Sequence, residues 1–358
     1  MSYQDLFKNI LGGESAELTP SQVDVIEKTA EEVAEDIIER DIAVAEKDFA
    51  VTQTTLEAHS DKLEVLDGLV EDLEESLDGM EAMTTGHFNP ELFASHYNKA
   101  VKIGNRFGLN LERHGVESFS SKETANYTVH AGVESLKEVG KKAVEEGKKI
   151  LVEIWNSLIA GISNFVTIFS SVKTKAQGLL DGLSEDKLVT GTVKLPSDSF
   201  LLYNGKTNDF YKRLVSIARA FNNYTPNEDS YTNMVNSIEG KIGDGGKVVA
   251  NKDSGSVSVE KAGEGKSESQ ALGLNGVKSL LLDVVEGTDE LLKAQANTKQ
   301  LQMKRDQAIA KMGSGAKEEN FVNQKKYGRL SCKLVLQAMA VHTRILKAQF
   351  AVAKANFK

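Results

Sequence analysis

The strongest constraint on this chain is a run of about 60 residues near its start in which aliphatic side chains recur every three or four positions. Thr19-Pro20-Ser21-Gln22 opens the run as a capping box, with proline at the first helical position, where its missing N–H is not needed. Val23, Ile26, Ala30, Val33 and Ile37 follow at alternating steps of 3 and 4, which is a heptad seam. The register slips at Ile38, Ile42, Ala45 and Phe49 and resumes through Leu56, Leu63, Leu66, Val70, Leu73 and Leu77. Thr52-Gln53-Thr54-Thr55 leaves two forms open, one rod or a helical hairpin broken at that point. With 4 prolines in 358 residues and aromatic residues at 6%, the chain lacks the punctuation that a sandwich or barrel of many short strands needs, so long helices are expected throughout.

Asn89 is placed to cap a helix that starts at Pro90 and runs to about residue 107. Residues 108–131, rich in Ser, Thr, Asn and Gly, read as an exposed connector. A second long helix is expected over residues 133–183. Its apolar centre, residues 150–172, is long enough to span a bilayer. Glu153, Ser157, Gly161, Asn164, Thr167 and Ser171 nevertheless form a polar stripe along it, which a lipid-facing helix does not need and a core helix with one wet or partner-facing edge does. Residues 189–202 suggest a short hairpin around Pro196, and residues 206–222 and 227–238 two shorter helices. In the Gly- and Ser-rich stretch 240–276, two β-branched runs flank Asp253-Ser254-Gly255 and suggest a small hairpin. Two helices, 277–312 and 317–356, complete the chain, the last amphipathic through Leu330, Leu334, Leu336, Met339, Ile345 and Phe350.

The fold expected is therefore mainly α: an elongated multi-helix bundle with a long N-terminal helical hairpin or coiled coil and a small β-hairpin insertion. Its segments divide as an acidic helical or coiled-coil part over 1–83, a short helix plus connector over 84–131, a helical core over 132–239, a Gly/Ser-rich loop or hairpin over 240–276 and a basic helical pair over 277–358.

The net charge of −9 conceals a gradient. Residues 1–90 hold 23 acidic and 5 basic side chains, a balance of −18. Residues 299–358 hold 13 Lys and Arg against Asp306, Glu318 and Glu319, a balance of +10. Such ends are read either as two solvated helical faces or as surfaces that associate, head to tail between copies or tail to nucleic acid, with a strength that salt reduces. Residues 1–13 show no basic region ahead of their short apolar cluster, so synthesis in the cytosol is expected.

Catalytic and metal-binding signatures are sparse. His59, His87, His96, His114, His130 and His342 show no metal-ligand spacing, and a single cysteine, Cys332, excludes an internal disulfide or a cysteine-cluster zinc site. Cys332 sits on the apolar side of its helix and reads as a buried structural thiol. Gly243-Asp244-Gly245-Gly246-Lys247 looks like a phosphate loop only in part: Lys241 stands where the first glycine belongs, and Val248 replaces the hydroxyl that would hold magnesium. Asn251-Lys252-Asp253-Ser254-Gly255 fails as a calcium loop because Ala262 stands where the bidentate glutamate belongs. No enzyme, cofactor or metal is expected. One tetrapeptide recurs, Gly115-Val116-Glu117-Ser118 and Gly132-Val133-Glu134-Ser135, 17 residues apart.

The run Glu117-Ser118-Phe119-Ser120-Ser121, followed by Ala131-Gly132-Val133-Glu134-Ser135-Leu136-Lys137-Glu138 and by Ile154-Trp155-Asn156-Ser157-Leu158-Ile159, resembles the internal head proteins of large tailed bacteriophages. The plan is similar as well, with an acidic helical segment upstream and a C-terminal helix of the type Arg329-Leu330-Ser331-Cys332-Lys333-Leu334-Val335-Leu336-Gln337-Ala338. The resemblance implies a non-enzymatic structural protein of the capsid interior, made in the host bacterial cytoplasm as part of the prohead core. It also implies trimming by a prohead protease and packaging with the genome, some such proteins being ejected into the host. That protease cuts after glutamate, which makes Glu117 and Glu134 the candidate cut sites. Leu69-Val70-Glu71 and Leu151-Val152-Glu153 fit its pattern too but fall in expected helices. Expected partners are further copies, other virion proteins, the protease and, nonspecifically, DNA, with Lys325, Lys326, Arg329, Lys333, Arg344 and Lys347 as phosphate contacts. Two other classes stay open: a membrane-active or pore-forming protein that inserts residues 150–172, and a coiled-coil scaffold acting through the heptads of residues 23–77.

Overall fold

The computed structural model describes residues 20–197, 199, 225–242, 246–261, 267–294, 298–313 and 318–358; the helix expected over 206–222 lies outside them. The first element is one unbroken helix, α1 (Pro20–Thr85), a rod rather than a broken hairpin. Its central threonines do not interrupt it. Their hydroxyls donate to carbonyls one turn back, Thr52 to Asp48 at 2.8 Å, Thr54 to Ala50 at 3.1 Å and Thr55 to Val51 at 2.8 Å, so each polar group is satisfied inside the helix. Helix α2 (Pro90–Arg106) starts where Asn89 Oδ1 accepts from the backbone N–H of Glu91 and Leu92.

The connector is shorter than expected. A 3₁₀ turn (Val116–Phe119) is followed at once by α3 (Lys122–Asp181), because Ser121 caps the helix by accepting from Thr124 N–H at 3.2 Å. Residues 108–121 hold only that turn, and 122–131, placed in the connector by their composition, are helical. The second arm of the hairpin expected around Pro196, residues 198 and 200–202, lies outside the described residues. Strand β1 (Thr192–Lys194) pairs antiparallel with β5 (Glu268–Gln270), more than seventy residues away, in the register Val193 opposite Ser269.

Helix α4 (Glu228–Ile238), capped by Asn227, leads into a three-stranded antiparallel sheet of β2 (Gly240–Ile242), β3 (Gly246–Ala250) and β4 (Val257–Lys261), in which β3 and β4 are the expected hairpin. Gly255, at φ +65°, completes its turn and lies against the Leu330 carbonyl. Beyond it come α5 (Gly273–Ala294), α6 (Thr298–Ala310), the short α7 (Glu319–Asn323), a π turn (Gln324–Gly328) and α8 (Arg329–Ala355).

The fold is built on α1 and α3 lying antiparallel, the most extensive contact among the described elements. Ala45, Phe49, Leu56 and Leu63 of α1 share a core with Leu151, Ile154, Leu158, Ile162, Phe165 and Phe169 of α3. Helix α8 adds to the same core. As expected it is amphipathic, with a broad buried face: Leu330, Cys332, Leu334, Val335, Leu336, Met339, Val341, Ile345, Leu346 and Val352 are buried where α3, α5 and β4 pack on it, while Lys333, Gln337, Arg344, Lys347 and Lys354 mark its less buried stripe. Its C-terminal end is held by Asn356, whose Oδ1 accepts from Leu272 N–H, whose Nδ2 donates to the Val352 carbonyl and whose carbonyl accepts from Val189 N–H. A second cluster forms at the other end of the rod, where Phe93 and Tyr97 of α2 meet Phe119 of the 3₁₀ turn, Leu73 and Met80 of α1, and Leu136 of α3. The segment of α3 long and apolar enough to cross a membrane is the one that fills the main core.

Candidate functional site

The six basic residues expected to meet phosphate fall into two groups. Three are held by α1. Lys325 forms an ion pair with Asp67, Arg329 reaches Glu64 at 3.2 Å and the Ser60 carbonyl at 3.2 Å, and Lys347 pairs with Glu46. A fourth cation not singled out from the sequence, Lys175 of α3, pairs with Glu39 at 2.8 Å. That contact, reinforced by the nearby charge of Lys354, holds the Glu39 carboxyl below the usual carboxylate range. The acidic head and the basic tail are thus joined within one chain. The remaining three candidates are differently placed: Lys326 is exposed and lies over the Tyr327 ring at 5.1 Å, Arg344 is exposed, and Lys333 is half-buried against the Gly255 turn.

The pairing follows from spacing that the sequence already carried. Glu46 and Glu64 are 18 residues apart, as are Arg329 and Lys347. Eighteen residues are about five turns, so each pair lies on one face of its helix, and α1 running antiparallel to α8 brings Glu64 to Arg329 and Glu46 to Lys347 together. At the far end of α1, Lys99 of α2 bridges Asp72 and Glu75 at 2.9 Å each, and both contacts raise its pKa.

The two candidate cut sites, identical in sequence, stand in different structures. Val116 and Glu117 are exposed on the 3₁₀ turn, and the buried Phe119 anchors that turn with ring centroids 5.2 Å from Phe93 and 5.3 Å from Tyr97. Glu134 is not in a connector. It lies inside α3, twelve residues beyond the helix start, where the backbone is helical.

Cys332 is buried and burial pushes its thiol pKa up, the opposite of what a nucleophile needs. Among the described residues no group of three or more His, Cys, Asp or Glu is arranged to hold a metal ion. An open recess on α1, lined by Val65, Gly68, Leu69, Glu71, Asp72 and Glu75, is a shallow surface feature and not an enclosed pocket.

No curated protein and no solved structure shows a significant match to the chain. The sequence profile described as phiKZ-like phage internal head proteins matches residues 20–290, about three quarters of the length and all of α1 to α4. With that coverage the chain belongs to the phiKZ-like phage internal head proteins, structural proteins of the capsid interior.

Proposed function

We propose that the chain works in the capsid interior as a non-enzymatic structural protein that is cut after Glu117 by the prohead protease and touches DNA nonspecifically through its C-terminal basic side chains. In this reading the carboxylates of α1 are an internal competitor for phosphate. The observation that carries it is the set of ion pairs joining Lys175, Lys325, Arg329 and Lys347 to Glu39, Asp67, Glu64 and Glu46. These carboxylates occupy four of the cations, so intact protein meets phosphate mainly through cations that α1 does not hold, such as the exposed Lys326.

The cut is placed at Glu117 and not Glu134 because only the former stands on an exposed turn between helices. The cut turns the residues before it into a separate piece, whose carboxylates then compete with phosphate without a covalent tether.

The test leaves the buried seam untouched. In the triple variant Glu46→Gln, Glu64→Gln, Asp67→Asn the three cations lose their partners while the apolar contacts of α1 stay in place. DNA binding by the full chain is expected to tighten, and the slope of log affinity against log salt to steepen by about 0.9 for each cation that gains a phosphate. An unchanged slope sinks the DNA role. For the cut, protein from mature particles is expected to show a new N-terminus at Ser118; an intact chain there removes the processing step.

A further inference from the structure

Opposite its seam with α3, helix α1 carries a second column of aliphatic side chains at seven-residue intervals: Ile37, Val44, Val51, Ala58 and Val65. Ile37, Val44, Val51 and Val65 are 45%, 53%, 56% and 66% exposed, and Ala58 is exposed too. Single exposed aliphatics are common on any surface, but five in one column are not a scatter. The buried seam, through Phe49, Leu56, Leu63 and Val70, has the same interval of seven, so both columns wind together and the outer one stays outward along its length.

The charges beside this column set it apart from the rest of the helix. Three residues beyond each of the first four stand Arg40, Lys47, Thr54 and Asp61; four beyond stand Asp41, Asp48, Thr55 and Lys62, and all eight are exposed. Helix α1 has 20 acidic and 4 basic residues, yet three of its four basic residues are here, and the six charges flanking the column sum to zero. On one flank the signs run plus, plus, minus; on the other, minus, minus, plus. Among the described residues, Lys47, Asp48, Asp61 and Lys62 make no ion pair within the chain.

We propose that this face is where a second copy of the chain docks, α1 against α1. A neutral stripe on a helix of charge −16 is what lets two such helices approach, since charges off the contact are screened over about 8 Å at physiological salt while those at the contact pair. The pattern is complementary to itself. Turned end for end about the point between Thr54 and Thr55, the partner sets Val44 against Val65, Val51 against Ala58, Lys47 against Asp61 and Asp48 against Lys62. Set side by side in the same direction, each flank meets the opposite one, and Lys47 faces Asp48 of the other copy. This surface is separate from the ion pairs with α8, and a failure of either reading leaves the other standing.

Sedimentation velocity of the full chain over a range of concentration tests the proposal. Wild-type protein is expected to dimerise, and Lys47→Glu, which changes no contact within the chain, to weaken the dimer by about tenfold or more because each interface then holds two like-charge contacts. Adding Asp61→Lys to Lys47→Glu restores dimerisation if the copies run antiparallel, and adding Asp48→Lys restores it if they run parallel. Protein that is monomeric at about 100 μM, or a Lys47→Glu defect that neither second change repairs, overturns it.

Discussion

His342 sits on α8 with its ring buried and Nδ1 against the Ala338 carbonyl. Burial penalises the charged imidazole and holds its pKa well below the usual histidine range, against a smaller pull from that carbonyl in the other direction. The sign follows from linkage. The unfolded chain takes up a proton near pH 6.5 and the folded chain does not, so the contribution of a neutral His342 is complete above that pH. It is lost as the pH falls below it, at about 1.4 kcal/mol per pH unit until the folded protein also protonates. Urea midpoints compared between pH 7 and pH 5 are expected to fall less in His342→Leu than in the parent chain; equal falls would place the acid sensitivity elsewhere. The sequence showed that this histidine lacks a metal-ligand neighbour, but not that it is a core residue, because burial of α8 depends on α3, α5 and β4 enclosing it. Cys332 was legible, since its burial follows from its own helix face. A further residue that no spacing announced is Tyr231, whose buried hydroxyl donates to the Lys252 carbonyl at 2.8 Å and whose pKa burial pushes up to about 12.

At the level of elements, Gly161 of α3 lies against both Thr52 of α1 and Leu336 of α8. A methyl group added there would lie 2.3 Å from Leu336 Cδ2 and 3.4 Å from Thr52 Cγ2, and Leu336 is itself buried. Gly161→Ala is expected to lower stability by about 1–3 kcal/mol by overpacking, against the small gain that alanine brings to an exposed helix, and chemical denaturation measures it. The sequence placed Gly161 in a polar stripe that lipid does not need. The structure divides that stripe: Gly161 and Ser157 face other helices, while Glu153 and Thr167 meet water. Helix ends marked by caps were legible, as at Asn89 and Asn227. The start of α3 was missed because the polar composition of 108–131 outweighed the Ser121 cap and the spacing of Ala125, Val129, Gly132, Leu136 and Val139, which already continues the helix backward. Two copies of Gly-Val-Glu-Ser adopt a 3₁₀ turn and an α-helix for the same reason: four residues carry little preference of their own, and neighbours decide. The pairing of β1 with β5 joins segments far apart in the chain, which local patterns do not reveal.

Across the whole molecule, the gradient from acidic head to basic tail folds back on itself, and part of the charge that suggested association is used inside one chain. The ion pairs are nevertheless the lesser part of what holds α1. Most are partly exposed, and pairs of that kind contribute about 0–1 kcal/mol each, whereas Phe49, Leu56, Leu63 and Leu73 are buried at about 1.5–3 kcal/mol each. A chain cut after Glu117 is therefore expected to remain a two-piece complex. In size-exclusion chromatography at 1 M salt the pieces should elute together and part only in denaturant; separation by salt alone would mean that charge holds them. Release of the residues before the cut then requires the seam to open as well as the chain to be cut. The unbroken α1 has a mechanical consequence besides. At 1.5 Å per residue its 66 residues extend about 99 Å, a strut whose length is fixed by backbone geometry and braced along its side by α3, so the spacing between whatever sits at its two ends is set by this protein and not by the pressure of what surrounds it.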